Sequence, residues 1–445
     1  MTERVHLVSL GCPKNRVDSE VMVGKLQRGP FTMVDDPEQA DVIIVNTCSF
    51  IQPATEESID TVLEMSGYKT KGSCKKLVVT GCMVQRYGAA LESELPEVDH
   101  FLGTGEYHRI DDLLAARAGE APKSYVDTPL YLHDETAPRV NSWMGHSAYL
   151  KISEGCNHRC SFCIIPTLRG ELRSRTIPSL VAEAERFVQS GVKELNLVSQ
   201  DSTAYGRDLA DGSELGGLMR ALSHIDGLEW LRLHYAYPIG LPDSLLRAIA
   251  EEPRIVKYLD MPLQHASGPM LKAMRRGVTR AGQERILDRV RRSVPGIAVR
   301  TTFIVGFPGE TDADFAELVD FVKAQRFERV GVFTYHREDG THGATLPDQV
   351  EDEVKMERQR ILMEVQREIS AQLHAALVGT EHTVLVDGPT KESPQVISAR
   401  LPSQAPDVDG QVFLDGPPAD VRPGQLRRVR ITRASDYDLV GQVLA

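Results

Sequence analysis

Three thiols crowd into the eight residues Cys156-Asn157-His158-Arg159-Cys160-Ser161-Phe162-Cys163, in the pattern C-x3-C-x2-C. Thiolates from one short loop can hold three corners of an iron–sulfur cube, which leaves the fourth iron open to a small molecule. Two blander readings stay open on the loop alone. Zinc could take the three thiols together with His158, although structural zinc usually pairs two separate two-ligand hooks. A disulfide with a spare thiol would also use these residues. Seven cysteines, an odd number, favour metal or catalytic chemistry over disulfides in a reducing compartment.

Three more cysteines share a setting. Cys12, Cys48 and Cys82 each follow a short apolar run, at residues 5–10, 42–45 and 77–80. Such runs read as buried strands of a parallel sheet, and ligands bind such sheets beyond the carboxyl ends of the strands. A cysteine can also pack at a strand end simply as a small apolar residue. Three in succession make a second metal site the better reading. Cys74 lies in the polar stretch 71–76 and is expected to be an exposed thiol without a role.

These residues need elements to hold them. Residues 1–120 alternate apolar runs with helical patterns, as in an open parallel α/β sheet. Residues 121–141, with Pro122, Pro129 and Pro138, read as an irregular linker. From 142 to 376, strands are expected at 149–153, 194–199, 230–237, 258–263, 299–305 and 329–335. Helices are expected between them at 179–189, 215–225, 244–251, 283–293 and 312–325. Six βα units fit a partial (β/α)6 TIM-type barrel, with the cluster loop on its active rim. The same rim gathers Gln200, Asp201, His234, Tyr235, Gln264, His265, Gly306, Gly309 and the segment 334–336. Singly each suits a structural hydrogen bond or a turn; as a ring they suit a cofactor and substrate pocket. A charged helix over 351–376 closes this unit. Residues 377–445, with short strands between Gly- and Pro-rich turns, read as a small antiparallel β-barrel.

A net charge of −12 speaks against broad binding of phosphate backbones. No apolar run approaches the ~20 residues needed to span a bilayer, and no secretory signal is legible, so a cytoplasmic protein without a membrane partner is expected.

With six cysteines placed, the chain resembles the methylthiotransferase family of radical S-adenosylmethionine (SAM) enzymes along nearly its whole length. Within it, the chain looks like the ribosomal protein aspartate methylthiotransferases. The matching stretches are Gly11-Cys12-Pro13-Lys14-Asn15, Asn46-Thr47-Cys48, Gly81-Cys82-Met83-Val84-Gln85-Arg86-Tyr87, Cys163-Ile164-Ile165-Pro166, Arg169-Gly170, Ser174-Arg175, Gln264-His265, Gly306-Phe307-Pro308-Gly309-Glu310-Thr311 and Ala405-Pro406-Asp407-Val408-Asp409-Gly410. From 103–106 to 337–341 the likeness is looser.

The resemblance implies an N-terminal cluster domain, a radical SAM barrel and a C-terminal TRAM domain. It implies two [4Fe–4S] clusters, one on Cys156, Cys160 and Cys163 that binds SAM, and an auxiliary one on Cys12, Cys48 and Cys82. Phe162 matches the aromatic position beside the adenine, and Gln200, Asp201, Gln264 and Gly306 are candidate SAM contacts. The implied reaction puts a methylthio group on the β-carbon of an aspartate in small-subunit ribosomal protein twelve. One SAM methylates the sulfur and another generates the radical. A carbon acid that weak is beyond a side-chain base tuned near neutrality, whereas a cofactor-borne radical can take its hydrogen. A reductase and a sulfur source are implied partners.

The sister branch acts on adenosine in transfer RNA with the same cysteines. Ile164-Ile165-Pro166 favours the protein-modifying branch. So does the tail, where residues 376–445 carry nine Asp/Glu and seven Lys/Arg, although Arg427, Arg428, Arg430 and Arg433 could form a local phosphate patch. A non-catalytic iron–sulfur carrier or redox-sensing RNA-binding protein is the third reading.

Overall fold

The computed structural model describes residues 2–116 and 121–444, so the boundary expected at residue 120 lies outside the described residues. Strands β1 (Glu3–Ser9), β2 (Phe31–Met33), β3 (Val42–Thr47), β4 (Lys76–Gly81), β5 (His100–Leu102) and β6 (Ser124–Tyr125) form one sheet in the order β2-β1-β3-β4-β5-β6. All its pairings are parallel. Every residue of β3 is buried, because helices cover both faces of a parallel sheet. Within the expected linker, Ser124 and Tyr125 pair as a short edge strand. Phe101 N donates to Lys123 O and Gly103 N to Tyr125 O, both at 2.8 Å, so the segment after residue 120 adds an edge strand.

The central unit carries β7 (Ser147–Lys151), β8 (Ser153–Glu154), β9 (Arg173–Ser174), β10 (Glu194–Val198), β11 (Trp230–Leu233), β12 (Tyr258–Asp260), β13 (Ala298–Val305) and β14 (Arg329–Thr334). Two parallel three-stranded sheets, β7-β10-β11 and β12-β13-β14, are joined by a parallel bridge between Leu231 and Ile255. The result is a six-stranded open barrel. Three helices of this unit, Ile177–Gln189, Arg280–Ser293 and Asp312–Gln325, are capped by the threonine that starts each. Thr176 Oγ1 accepts from Ser179 N, and Thr311 and Asp314 form a reciprocal capping box. Strands β11 and β12 end earlier than expected. Tyr235 and Gln264 have φ of +59° and +73°, outside the extended range, so the chain turns there.

Strands β15 (Glu381–Pro389), β16 (Ile397–Arg400), β17 (Val412–Leu414), β18 (Leu426–Ala434) and β19 (Leu439–Val443) close a barrel in the order β15-β16-β17-β19-β18. The pair β17–β19 is parallel and the others antiparallel, a departure from the all-antiparallel expectation. This small barrel seals the amino-terminal end of the large one. Leu385 and Ala405 pack on Trp230, Val256, Tyr258 and Ala298. Arg400 donates to Glu194 and Asp387, and Tyr258 Oη donates to Asp409 at 2.8 Å.

Candidate metal centres and the cleft between them

Cys12, Cys48 and Cys82 follow β1, β3 and β4, three neighbours in the sheet order. A shared strand direction thus brings together thiols that are far apart in sequence. A Cβ on Gly11 would lie 3.0 Å from Cys48 Sγ, which shows how tightly the Cys12 turn is laid on Cys48. Burial pushes the Cys82 thiol up to about 12, and the nearby Cys48 and Cys12 push it further while Arg169 opposes. Burial and Cys12 likewise raise Cys48.

The loop triad is built locally. The ladder β8–β9 pairs Ser153 with Ser174 and Glu154 with Arg173, pinching the base of the loop between them. Cys156 N donates to Gly170 O at 3.0 Å and Cys163 N to Cys160 O at 3.1 Å. Burial raises Cys156 to about 11 and Cys163 to about 12, with Cys160 adding to both. Clustered buried thiols hold their protons unless positive charge arrives, which is what iron would bring.

Among the described residues, no three His, Cys, Asp or Glu side chains converge as ligands of one metal ion. The ligands of a cube each bind a different iron and stand farther apart. His158 Nε2 is engaged with Asp201 Oδ2 at 2.7 Å, and its ring stacks on Tyr237 at 3.8 Å, so only its Nδ1 is left for other partners.

The two triads meet across one interface. Cys82 shares a buried cluster with Ile164 and Leu168, and Ile164 directly follows Cys163. Arg169 Nη2 approaches Cys82 Sγ at 3.5 Å and also donates to Asn15 Oδ1. Its Nη1 donates to Asp18 at 2.6 Å and Glu154 at 3.2 Å, and Lys151 spans the same two carboxylates. On the far side of the loop triad, Arg276 Nη1 lies 3.4 Å from Cys160 Sγ.

The expected SAM contacts divide. Gln200 donates to Glu154 Oε1, and its own Oε1 is buried without a partner; so is Gln264 Oε1. These are acceptors suited to the ammonium, amino and hydroxyl donors of SAM. Phe162 is half-buried against Met270, Met274, Phe307 and Tyr335. Asp201 is committed to its own loop, accepting from His158 and from Thr203 N and Oγ1. Gly306 has φ +73°, and a Cβ there would lie 2.2 Å from Lys355 Cγ. Helix packing therefore demands that glycine, and no ligand approach is needed to explain it.

Cys74 is buried, packs with Leu77 and Val79, and gives its Sγ–H to Lys76 O. The polar residues around it concealed a loop that folds back on the sheet. The four clustered arginines are paired, Arg427 with Asp420, Arg428 and Arg430 with Glu381, and Arg433 with Asp415. That leaves little free charge for phosphate. Sequence reasoning gave no role to Lys14, Glu154, Arg169 or Arg276; only Lys14 and Arg169 stood in recognisable stretches.

Residues 4–103 match the Uncharacterized protein family UPF0004, 150–322 the Radical SAM superfamily and 378–444 the TRAM domain. The chain is 50% identical to the ribosomal protein uS12 methylthiotransferase RimO of Pelobacter propionicus, over 99% of this chain and 98% of that one. It is 52% identical to the protein of the same name from an Anaeromyxobacter species, over 100% of this chain and 94% of that one. Among solved structures, the radical SAM methyltransferase TsrM of Kitasatospora setae, determined with cobalamin and a [4Fe–4S] cluster bound, aligns with TM-score 0.55 at 17% identity over 75% of each chain. The cobalamin-dependent radical SAM enzyme OxsB aligns with TM-score 0.52 at 13% identity, over 82% of this chain and 56% of that one. These two are likenesses of fold.

Proposed function

Because this chain belongs to the RimO family of methylthiotransferases within the radical SAM superfamily, we propose that it methylthiolates the β-carbon of an aspartate in ribosomal protein uS12. In this reading residues 1–120, 142–376 and 377–445 are the auxiliary-cluster, SAM and TRAM units, and 121–141 connects the first two. Cys156, Cys160 and Cys163 would hold the cluster that binds SAM, and Cys12, Cys48 and Cys82 the auxiliary one. When bound, these groups supply a carbon radical from SAM and a seat for the incoming sulfur.

The chain's own residues do the positioning. Asp201 fixes His158, and Tyr237 stacks on it, so the loop between Cys156 and Cys160 is held in place. Arg276 offers an N–H to Cys160, and Arg169 offers one to Cys82. Gln200 and Gln264 keep acceptors free for SAM. The small barrel closes the base of the large one, which keeps water from the interior.

The observation that carries the reading is the contact of Cys82 with Ile164. It brings the end of the cluster loop beside one thiol of the other triad, and such proximity supports sulfur transfer to a nearby carbon radical. The test is anaerobic reconstitution. The chain should bind about eight irons and, with SAM and a reductant, add one methylthio group to uS12, read by mass spectrometry. Modification of a transfer RNA adenosine instead, or iron binding without SAM cleavage, overturns the assignment.

A further inference from the structure

Resting on that reading, we infer that the Lys14 ammonium is the binding group for the side-chain carboxylate of the target aspartate. Lys14 is the second residue of the helix Pro13–Arg28, two residues after Cys12. It is 8% exposed. Its Nζ sits 3.6 Å over the ring of Tyr235, which follows β11 on the cluster-bearing rim of the barrel. The side chain thus bridges the N-terminal sheet and the barrel mouth.

Three costs attach to this position. A buried cation loses its hydration. The first turn of a helix repels positive charge. And Lys14 has no carboxylate within ion-pair distance, Glu154 acting on it only from farther off. Among the described buried lysines and arginines, only Lys14 and Arg276 form no ion pair with an acidic side chain. Arg276 spends its guanidinium on Cys160 Sγ and Pro262 O. Lys14 has the Tyr235 ring beneath it and the Cys12 thiol and Glu154 farther off, but no acidic side chain in direct contact. A cation without an ion-pair partner at this position suits a site completed by an anionic ligand.

Location selects the anion. Lys14 belongs to the Cys12 turn, the side from which sulfur would be delivered. In aspartate the carboxylate is one bond from the β-carbon. An ammonium that grips the carboxylate here brings that carbon beside the auxiliary triad. It also distinguishes aspartate from asparagine, whose amide offers no charge. The carboxylate of SAM is the competing source, and substrate-specific measurements separate the two.

The test uses reconstituted full-length protein with uS12 carrying either the native aspartate or asparagine at the target. Lys14→Met removes the charge and keeps the length; Lys14→Arg keeps a charge. For Lys14→Met, KM for uS12 and the Kd of the unreacted complex should each rise about thirty-fold or more. The wild-type preference for aspartate over asparagine in binding should collapse, the KM for SAM should stay within about two-fold, and Lys14→Arg should recover part of the loss. Unchanged binding and discrimination in Lys14→Met overturn the inference. So does a rise confined to the KM for SAM, or an iron content cut by half, which would assign Lys14 to SAM or to the auxiliary cluster. If the wild-type chain does not modify uS12 at all, the proposed function falls first and this inference with it.

Discussion

Single atoms near sulfur are where the chemistry is most sensitive. Arg276 Nη1 lies 3.4 Å from Cys160 Sγ, and its guanidinium stands over the Tyr237 ring at 4.2 Å. A donor aimed at a ligating sulfur stabilises the more electron-rich, reduced cluster. Arg276→Leu should leave iron content intact and lower the reduction potential of the proposed SAM cluster by roughly 65–130 mV, the one-electron equivalent of one charged hydrogen bond. An EPR-monitored redox titration reads that shift. A second residue-scale prediction concerns protons. His133 is fully buried, and its Nε2 lies 3.2 Å from Arg175 Nη1, where a neutral ring accepts. Burial holds its pKa down at about 4, against the ordinary 6.5, with Glu183 opposing. Between those values the unfolded chain takes up a proton that the folded chain refuses, so stability falls as pH drops through that window. Relative to His133→Gln, the wild type should lose roughly 3 kcal/mol between pH 7 and pH 4, measured as the difference of their urea unfolding midpoints.

Whole elements decide whether those atoms meet. Gly81 has φ +101°, and a Cβ there would stand 2.4 Å from Asn46 Oδ1 and 2.6 Å from Thr47 O. Gly81→Ala should displace Cys82 and halve the iron bound, about four atoms per chain in place of about eight, while the loop triad still fills. Iron analysis with SAM-cleavage assay checks both halves. The parallel strands were legible because continuous apolar runs such as Val42–Val45 have no other use in a chain of this kind. The helix Asp312–Gln325 was legible to the residue, since Thr311 and Asp314 announce its start. What the sequence hid are effects of remote partners. The end of β11 depends on the left-handed turn at Tyr235, and part of the linker became an edge strand because β5 offered open hydrogen bonds. The six cysteines proposed as ligands stood out by spacing and setting. Lys14 did not, because the ring it lies over is more than two hundred residues away in the chain. Gln200 and Gln264 were legible as rim residues, whereas the commitment of Asp201 to His158 required coordinates.

At the scale of the molecule, three units are locked by buried charge. Arg139, in the segment between the first two, joins Glu20 of the N-terminal sheet unit to Glu183 of the barrel. Arg86 and Glu338 make a second tie at 2.8 Å. Arg400 fastens the small barrel to Glu194 of the large one at 2.7 Å, and Asp387 of its own barrel holds the guanidinium in place at 2.8 Å. Cutting one partner from such a network leaves the other charged and dry. Arg400→Met should therefore cost about 3–5 kcal/mol and expose the segment beyond residue 377 to protease while the barrel resists, as limited proteolysis would show.

The pinched loop and the three-strand triad also differ in what they require of the rest of the chain. One draws its thiols from eight successive residues held by a two-stranded ladder. The other needs β1, β3 and β4 already aligned. Biogenesis and recovery from oxygen damage consequently have a direction. If the proposed ligands hold, a partly folded chain would accept iron at the loop first and pass through a half-loaded form that could spend SAM but would have no sulfur to deliver.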